Sequence, residues 1–248
     1  MTTPDSPAGR PGLSNVVDII VSPDAAFARL RRVPVWGWAF VVTSVLGMLG
    51  TILLTPATTH GIDVSLPAQL AANPRIAALP PERQQTVIAM QLNLMHTLLR
   101  FQFVLVPITV MLTSLVQAVV MLIASAATKG EGTFKKLFAL SMTVSVVGFG
   151  LASLALSAIV LVRGSSSFDS AWAVQSSVPN LALLAPGVHG ALRGFLAGIN
   201  VFTVWSTVLI AIGMTRVGRI APAAAWIVGL VFIATTVSLS ALGAAQSG

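Results

Sequence analysis

Of 248 residues, 55% are hydrophobic and only 8% charged, whereas a soluble domain carries about a quarter charged residues. With a mean hydropathy of +0.90, this excludes an ordinary soluble domain and points to an all-α, polytopic membrane protein; no cofactor is expected, since no motif that would bind one is present. The net charge of +7 is scattered between apolar runs and forms no stripe that could follow a phosphate backbone, so nucleic acid is a poor partner.

Met1 to Gly12, rich in Pro, Ser, Gly and Thr, reads as a disordered tail. From Leu13 the pattern changes: Leu13, Val16, Val17 and Ile20 recur at i, i+3, i+4 and i+7, an amphipathic period. Ser22-Pro23-Asp24 then resembles a helix start, with Ser22 as cap, Pro23 at the first helical position and Asp24 at the positive end of the dipole. Phe27 and Leu30 share one side of the helix that follows, which ends in Arg29, Arg31 and Arg32. Residues 13–32 are therefore expected to lie on the membrane surface, apolar side down. Phe27, Arg29, Arg31, Arg32 and Trp36 would contact the bilayer and its anionic headgroups. The arginines themselves read as an ordinary basic flank that needs no specific lipid, while the helix is placed on the membrane surface.

A five-span bundle is expected over residues 33–243. The first span covers 33–54, entered through Trp36 and Trp38 as an interfacial belt and stopped by Pro56. No cleavable signal peptide is expected, because this first apolar run starts too late and is too long. A polar connection follows to Pro80, then a helical segment from Pro81 to Arg100 that lies along the membrane or extends the next span. The second span covers 101–128, with a kink expected at Pro107 and with Gln117 requiring a partner helix. After a tight turn capped by Thr133, the third span covers 137–162. Its small-residue pairs Ser141/Ser145, Gly148/Ala152 and Ser153/Ser157 permit close helix approach. A long Ser-rich connection leads to the fourth span, 192–214, and a short basic turn with Arg216 and Arg219 leads to the fifth, 222–243.

Within the fourth span, Ile199 to Met214 holds no charge, yet Asn200, Thr203 and Thr207 fall at helical spacing and Trp205 lies mid-span, away from the usual aromatic belt. Such a helix suits the centre of a bundle. Its polar stripe reads either as hydrogen bonding between helices, worth about 0.6 kcal/mol each, or as a groove for a lipid headgroup or a partner's helix. With a cytoplasmic N-terminus, nine basic residues (Arg10, Arg29, Arg31, Arg32, Lys129, Lys135, Lys136, Arg216, Arg219) fall inside. Five (Arg75, Arg83, Arg100, Arg163, Arg193) fall outside, which puts the C-terminus on the outer side of the cell membrane.

Several stretches together resemble the Yip domain family (Ypt/Rab-interacting proteins), in its bacterial branch. They are Val21-Ser22-Pro23-Asp24-Ala25-Ala26-Phe27 with Arg31, Pro34 and Trp36; Gly130-Glu131-Gly132-Thr133-Phe134-Lys135-Lys136; Pro179-Asn180-Leu181; and Val201-Phe202-Thr203-Val204-Trp205-Ser206 through Ile212-Gly213-Met214. The resemblance implies a five-helix bundle with a cytoplasmic N-terminus. Eukaryotic members act in membrane traffic through small GTPases and through each other, and some bacterial members are thought to accompany efflux-type transporters. The short region ahead of the first span sets an expectation against small-GTPase binding.

No HExxH, GxSxG, GxGxxG or P-loop pattern is present. His60, His96 and His189 fall on the expected outer side, near Asp63, Glu82 or Asp169, but at no metal-motif spacing. The spans hold no ionisable residue in their central parts, which counts against proton- or sodium-coupled transport, an aspartyl protease, or activation of a serine such as Ser206. The expectation is a non-enzymatic protein that works through contacts with lipids, with other integral membrane proteins or with itself. Movement of a lipid or small solute along the polar stripe is the alternative.

Overall fold

The computed structural model describes residues 11–247. The tail expected over residues 1–12 lies outside them apart from Pro11 and Gly12, which already belong to α1 (Pro11–Val21). The helices that follow are α2 (Pro23–Arg32), α3 (Gly37–Ala71), α4 (Pro74–Ala77), α5 (Pro81–Ala127) and α6 (Phe134–Ser145). A π-helical turn over Val146–Leu151 joins α6 to α7 (Ala152–Arg163), and the chain continues through α8 (Ala171–Gln175), α9 (Gly190–Gly198), α10 (Val201–Arg216) and α11 (Pro222–Ser247). Among the described residues there is no β-strand, only an isolated bridge.

Four helical runs are long and apolar enough to cross a membrane: Gly37–Ala71, Pro81–Ala127, Phe134–Arg163 and Pro222–Ala245. The fourth expected span is not one helix. It is divided into α9 and α10, and α10, at 16 residues, falls short of the roughly 20 that a crossing needs. The residues group into two compact units. The first comprises the chain up to Leu46 with Pro107–Ala152 and Phe202–Ala234; the second comprises Gly47–Val106, Ser153–Val201 and the chain from Thr235 on.

In the first unit, α1 and α2 pack on each other and on α6. In α2, Pro23 occupies the first turn, Asp24 lies at the positive end of the dipole and the three arginines at the negative end, while Ser22 makes no side-chain cap bond. Ala26, Phe27 and Leu30 are wholly buried, and Arg31 and Arg32 are exposed. Phe27 is thus an interior residue and not a membrane contact. The period had identified the two faces of α2 correctly but not which one turns inward. The helix that shows apolar residues outward is α1: Asn15, Val16 and Ile19 are buried, and Leu13, Val17, Ile20 and Val21 are exposed. Being apolar on two faces, α1 covers α2 and still presents an apolar row. Arg29 ties the pair together. Its Nε donates to Asn15 Oδ1 at 2.8 Å, and its guanidinium pairs with Asp18, so it is committed within the protein. Trp36 is half-buried, edge-on to Phe138 at 5.4 Å and to Phe40 at 6.2 Å between ring centroids.

In the second unit, Ala57, Val160, Phe168 and Val174 form a buried cluster flanked by Leu54, Leu156 and Ala173. This cluster explains why Pro56 does not end the helix. Proline removes one backbone donor and costs about 3 kcal/mol. The next residue, Ala57, is fully buried, and a side chain at Gly61 would lie 2.5 Å from the Ser170 carbonyl carbon. Packing of the Ala57 and Gly61 face keeps α3 helical past Pro56, and the helix continues through Pro67 to Ala71. Likewise α5 runs without a break from Pro81, so the segment 81–100 extends the second span. The hydroxyl of Ser157 donates to the carbonyl of Gly50 at 3.2 Å, placing that small-residue face of α7 on α3.

Candidate functional site

The feature that organises the candidate site is the break at Ile199 and Asn200. Ile199 leaves helical geometry (φ −90°, ψ 88°) and its carbonyl accepts from the Leu181 N–H at 3.2 Å, while Asn180 and Asn200 form an antiparallel bridge. The strap that makes this bridge is fixed by Asn180. Its Nδ2 donates to the carbonyls of Ser176 (2.8 Å) and Val178 (2.6 Å), and its Oδ1 accepts from the Ala182 N–H at 2.9 Å. The Ile199 carbonyl released where the helix stops is thereby taken up again.

Two glycines hold α9 against α11. A methyl group on Gly194 would lie 2.5 Å from both the Ala244 Cβ and the Ser240 carbonyl oxygen, and one on Gly198 would lie 2.9 Å from the Val237 Cα. Beside this contact is a cavity of about 310 Å³ whose polar lining comes from Gln175, Ser176, Asn200, Thr236 and Ser240. Trp172 lines it too, and also borders a second cavity of about 580 Å³ that holds Asp169, His189 and Arg193. The Arg193 guanidinium stacks over the Trp172 ring at 5.1 Å from its centroid. Hydroxyls and amides of this kind bind polar groups by hydrogen bonding.

The expected stripe of Asn200, Thr203 and Thr207 is not one face. Asn200 precedes α10 and lines the groove, and it belongs to the second unit, whereas Thr203 and Thr207 belong to the first. The Thr207 hydroxyl donates to the Thr203 carbonyl at 2.8 Å, within its own helix, and Thr207 packs where a side chain at Gly229 would meet it at 3.0 Å. Trp205 is 37% exposed, so it faces outward and not into a bundle centre. Gln117 does find a partner helix: its Oε1 accepts from the Ser141 hydroxyl at 2.7 Å. Of the histidines, His96 pairs with Asp63 at 2.7 Å. The Gly194/Gly198 pair escaped the reading of the sequence, although its spacing is a known signature of close helix approach. The strap's bond to Ile199 had no sequence signal beyond Asn180 itself.

No family model matches this chain, and no solved structure matches it. It is similar to a Bacillus subtilis (strain 168) protein named Membrane protein YknW, with 27% identity over 224 residues, covering 90% of this chain and 86% of that one. That likeness and four helices of crossing length make this an integral membrane protein.

Proposed function

We propose that the protein works without catalysis, as an adaptor or accessory subunit that binds other integral membrane proteins or further copies of itself. The observation that carries this reading is how its polar groups at helix depth are used. Gln117 and Ser157 bond to neighbouring helices of the same chain, and the buried Ser206 hydroxyl stands against Gly148 with no base beside it. The apolar stretches 37–59 of α3, 101–127 of α5, 137–162 and 222–245 hold no ionisable residue to activate a nucleophile or relay a proton; His60 and Asp63 of α3 and His96 and Arg100 of α5 lie beyond them. We read α9 and α10 together as a fifth, interrupted crossing, with the N-terminus cytoplasmic and the C-terminus outside the cell membrane. The order of motifs supports membership of the Yip domain family, whose bacterial members suggest an efflux-type transporter as the partner. Affinity capture of the full chain from membranes in mild detergent, followed by mass spectrometry, tests the adaptor role. Recovery of a reproducible membrane-protein partner, or of a stable self-assembly, is expected, and repeated recovery of the monomeric chain alone would refute it.

A second reading has its own support in the groove at Asn200, which is the right size for a headgroup or small solute. Liposomes carrying the protein and a labelled lipid decide it. Movement above that of empty vesicles, lost in Asn200→Ala, is required by this reading, and its absence would end it.

A further inference from the structure

We propose that a further cavity, in the first unit and independent of the adaptor role, binds a phosphate group. It lies between the last turn of α2 and the first turn of α6, encloses about 310 Å³, and is lined by Ala28, Arg31, Arg32, Glu131 and Lys136. The argument is one of charge. The unit's described carboxylates are Asp18, Asp24 and Glu131. Each already faces an arginine: Asp18 pairs with Arg29, Asp24 with Arg216 at 2.9 Å, and Glu131 with Arg219 at 3.5 Å. Among the described residues Arg31, Arg32 and Lys136 take part in no ion pair, and all three border this one cavity. The three cations share the cavity with one carboxylate, Glu131, itself paired with Arg219, so the lining keeps a net positive charge that an anion would offset. Two arginine forks and a lysine point charge make a donor set suited to phosphate oxygens.

The cavity's walls are fixed in advance. Phe27 and Leu30 anchor α2 in the interior. On the other side the Glu131 N–H donates to the Gly218 carbonyl at 2.8 Å, and Gly130 lies so close to Ile220 that a methyl group there would approach its Cγ2 to 2.5 Å. The neighbouring α1, packed on both α2 and α6, turns Leu13, Val17, Ile20 and Val21 outward. Cationic cavity and apolar row together match an anionic lipid. A free phosphate solute presents the same oxygens to the same donors.

The test uses the full chain in phosphatidylcholine nanodiscs, with phosphatidate as the lipid probe and inorganic phosphate as the soluble one, bound fraction being read by native mass spectrometry. Arg32→Gln and Lys136→Gln are each expected to weaken binding about fivefold, the share of one basic residue near an anionic surface. Lys129→Gln, on the same turn but not lining the cavity, is expected to leave it unchanged. Phosphatidate retained while inorganic phosphate fails to compete assigns the source to a headgroup; competition by inorganic phosphate assigns it to a solute, and in either case the site stands. No binding of either probe overturns the proposal. Equal weakening by Lys129→Gln and Lys136→Gln does so too, because it would mean diffuse surface charge.

Discussion

Replacing Phe27 with alanine is expected to destabilise the protein by about 3–5 kcal/mol, the usual cost of emptying a buried phenylalanine site. Phe27 is 0% exposed, and its neighbours Ala26 and Leu30 are equally buried, so the side chain fills space where α2 meets the rest of the first unit. Removing the ring leaves a cavity that the short α2, pinned by the Arg29 bonds to Asn15 and Asp18, has little freedom to collapse into. Val21→Ala is the matched control. Val21 is 72% exposed on α1 and should shift stability by less than about 0.5 kcal/mol. Unfolding midpoints in mild detergent, with protease cleavage within α1 and α2 as a local readout, separate the two. If Phe27→Ala proved as mild as Val21→Ala, the apolar face of α2 would lie on lipid after all.

Gly194→Leu is expected to be comparably severe, at about 3 kcal/mol or more, since overpacking a close contact costs 1–3 kcal/mol and this contact is backbone-limited. Its first added carbon already falls 2.5 Å from the Ser240 carbonyl oxygen, and three more would have to enter the space held by α11. Helix α9 would be pushed off α11, and the groove beside Asn200 would lose one wall. Gly187→Leu supplies the comparison, because nothing lies within 4 Å of a Cβ built there. Comparable midpoints for the two variants would show that α9 does not pack as closely as described.

Much of this architecture can be read from residues, with failures of a consistent kind. Hydropathy locates the long helices because lipid demands uninterrupted apolar length. Gln117 could be assigned a partner helix in advance because a buried amide must bond, and Ser141 supplies the bond from 24 residues on. Periodicity could not decide which side of residues 13–32 faces inward, since that depends on α6, more than a hundred residues later. Pro56 reads locally as a stop, but the burial of Ala57 overrides it. The stripe through Asn200 failed for another reason. Spacing of three and seven places residues on one face only if a single helix carries them all, and the chain leaves the helix at that residue. The π-helical turn at Val146–Leu151 has no counterpart in the hydropathy pattern.

The continuity of α5 bears on how the protein would respond to its surroundings. The helix's 47 residues are more than twice the roughly 20 that a crossing needs. Met90, Leu94 and Leu98 continue an outward apolar row on the far side of Arg100. A thicker bilayer can therefore engage more of this helix with no loop to rebuild, at a fraction of a kcal/mol per ångström, provided that the Arg100 side chain snorkels to the interface. Hydrophobic mismatch should thus be a weak determinant of which membranes the protein can occupy.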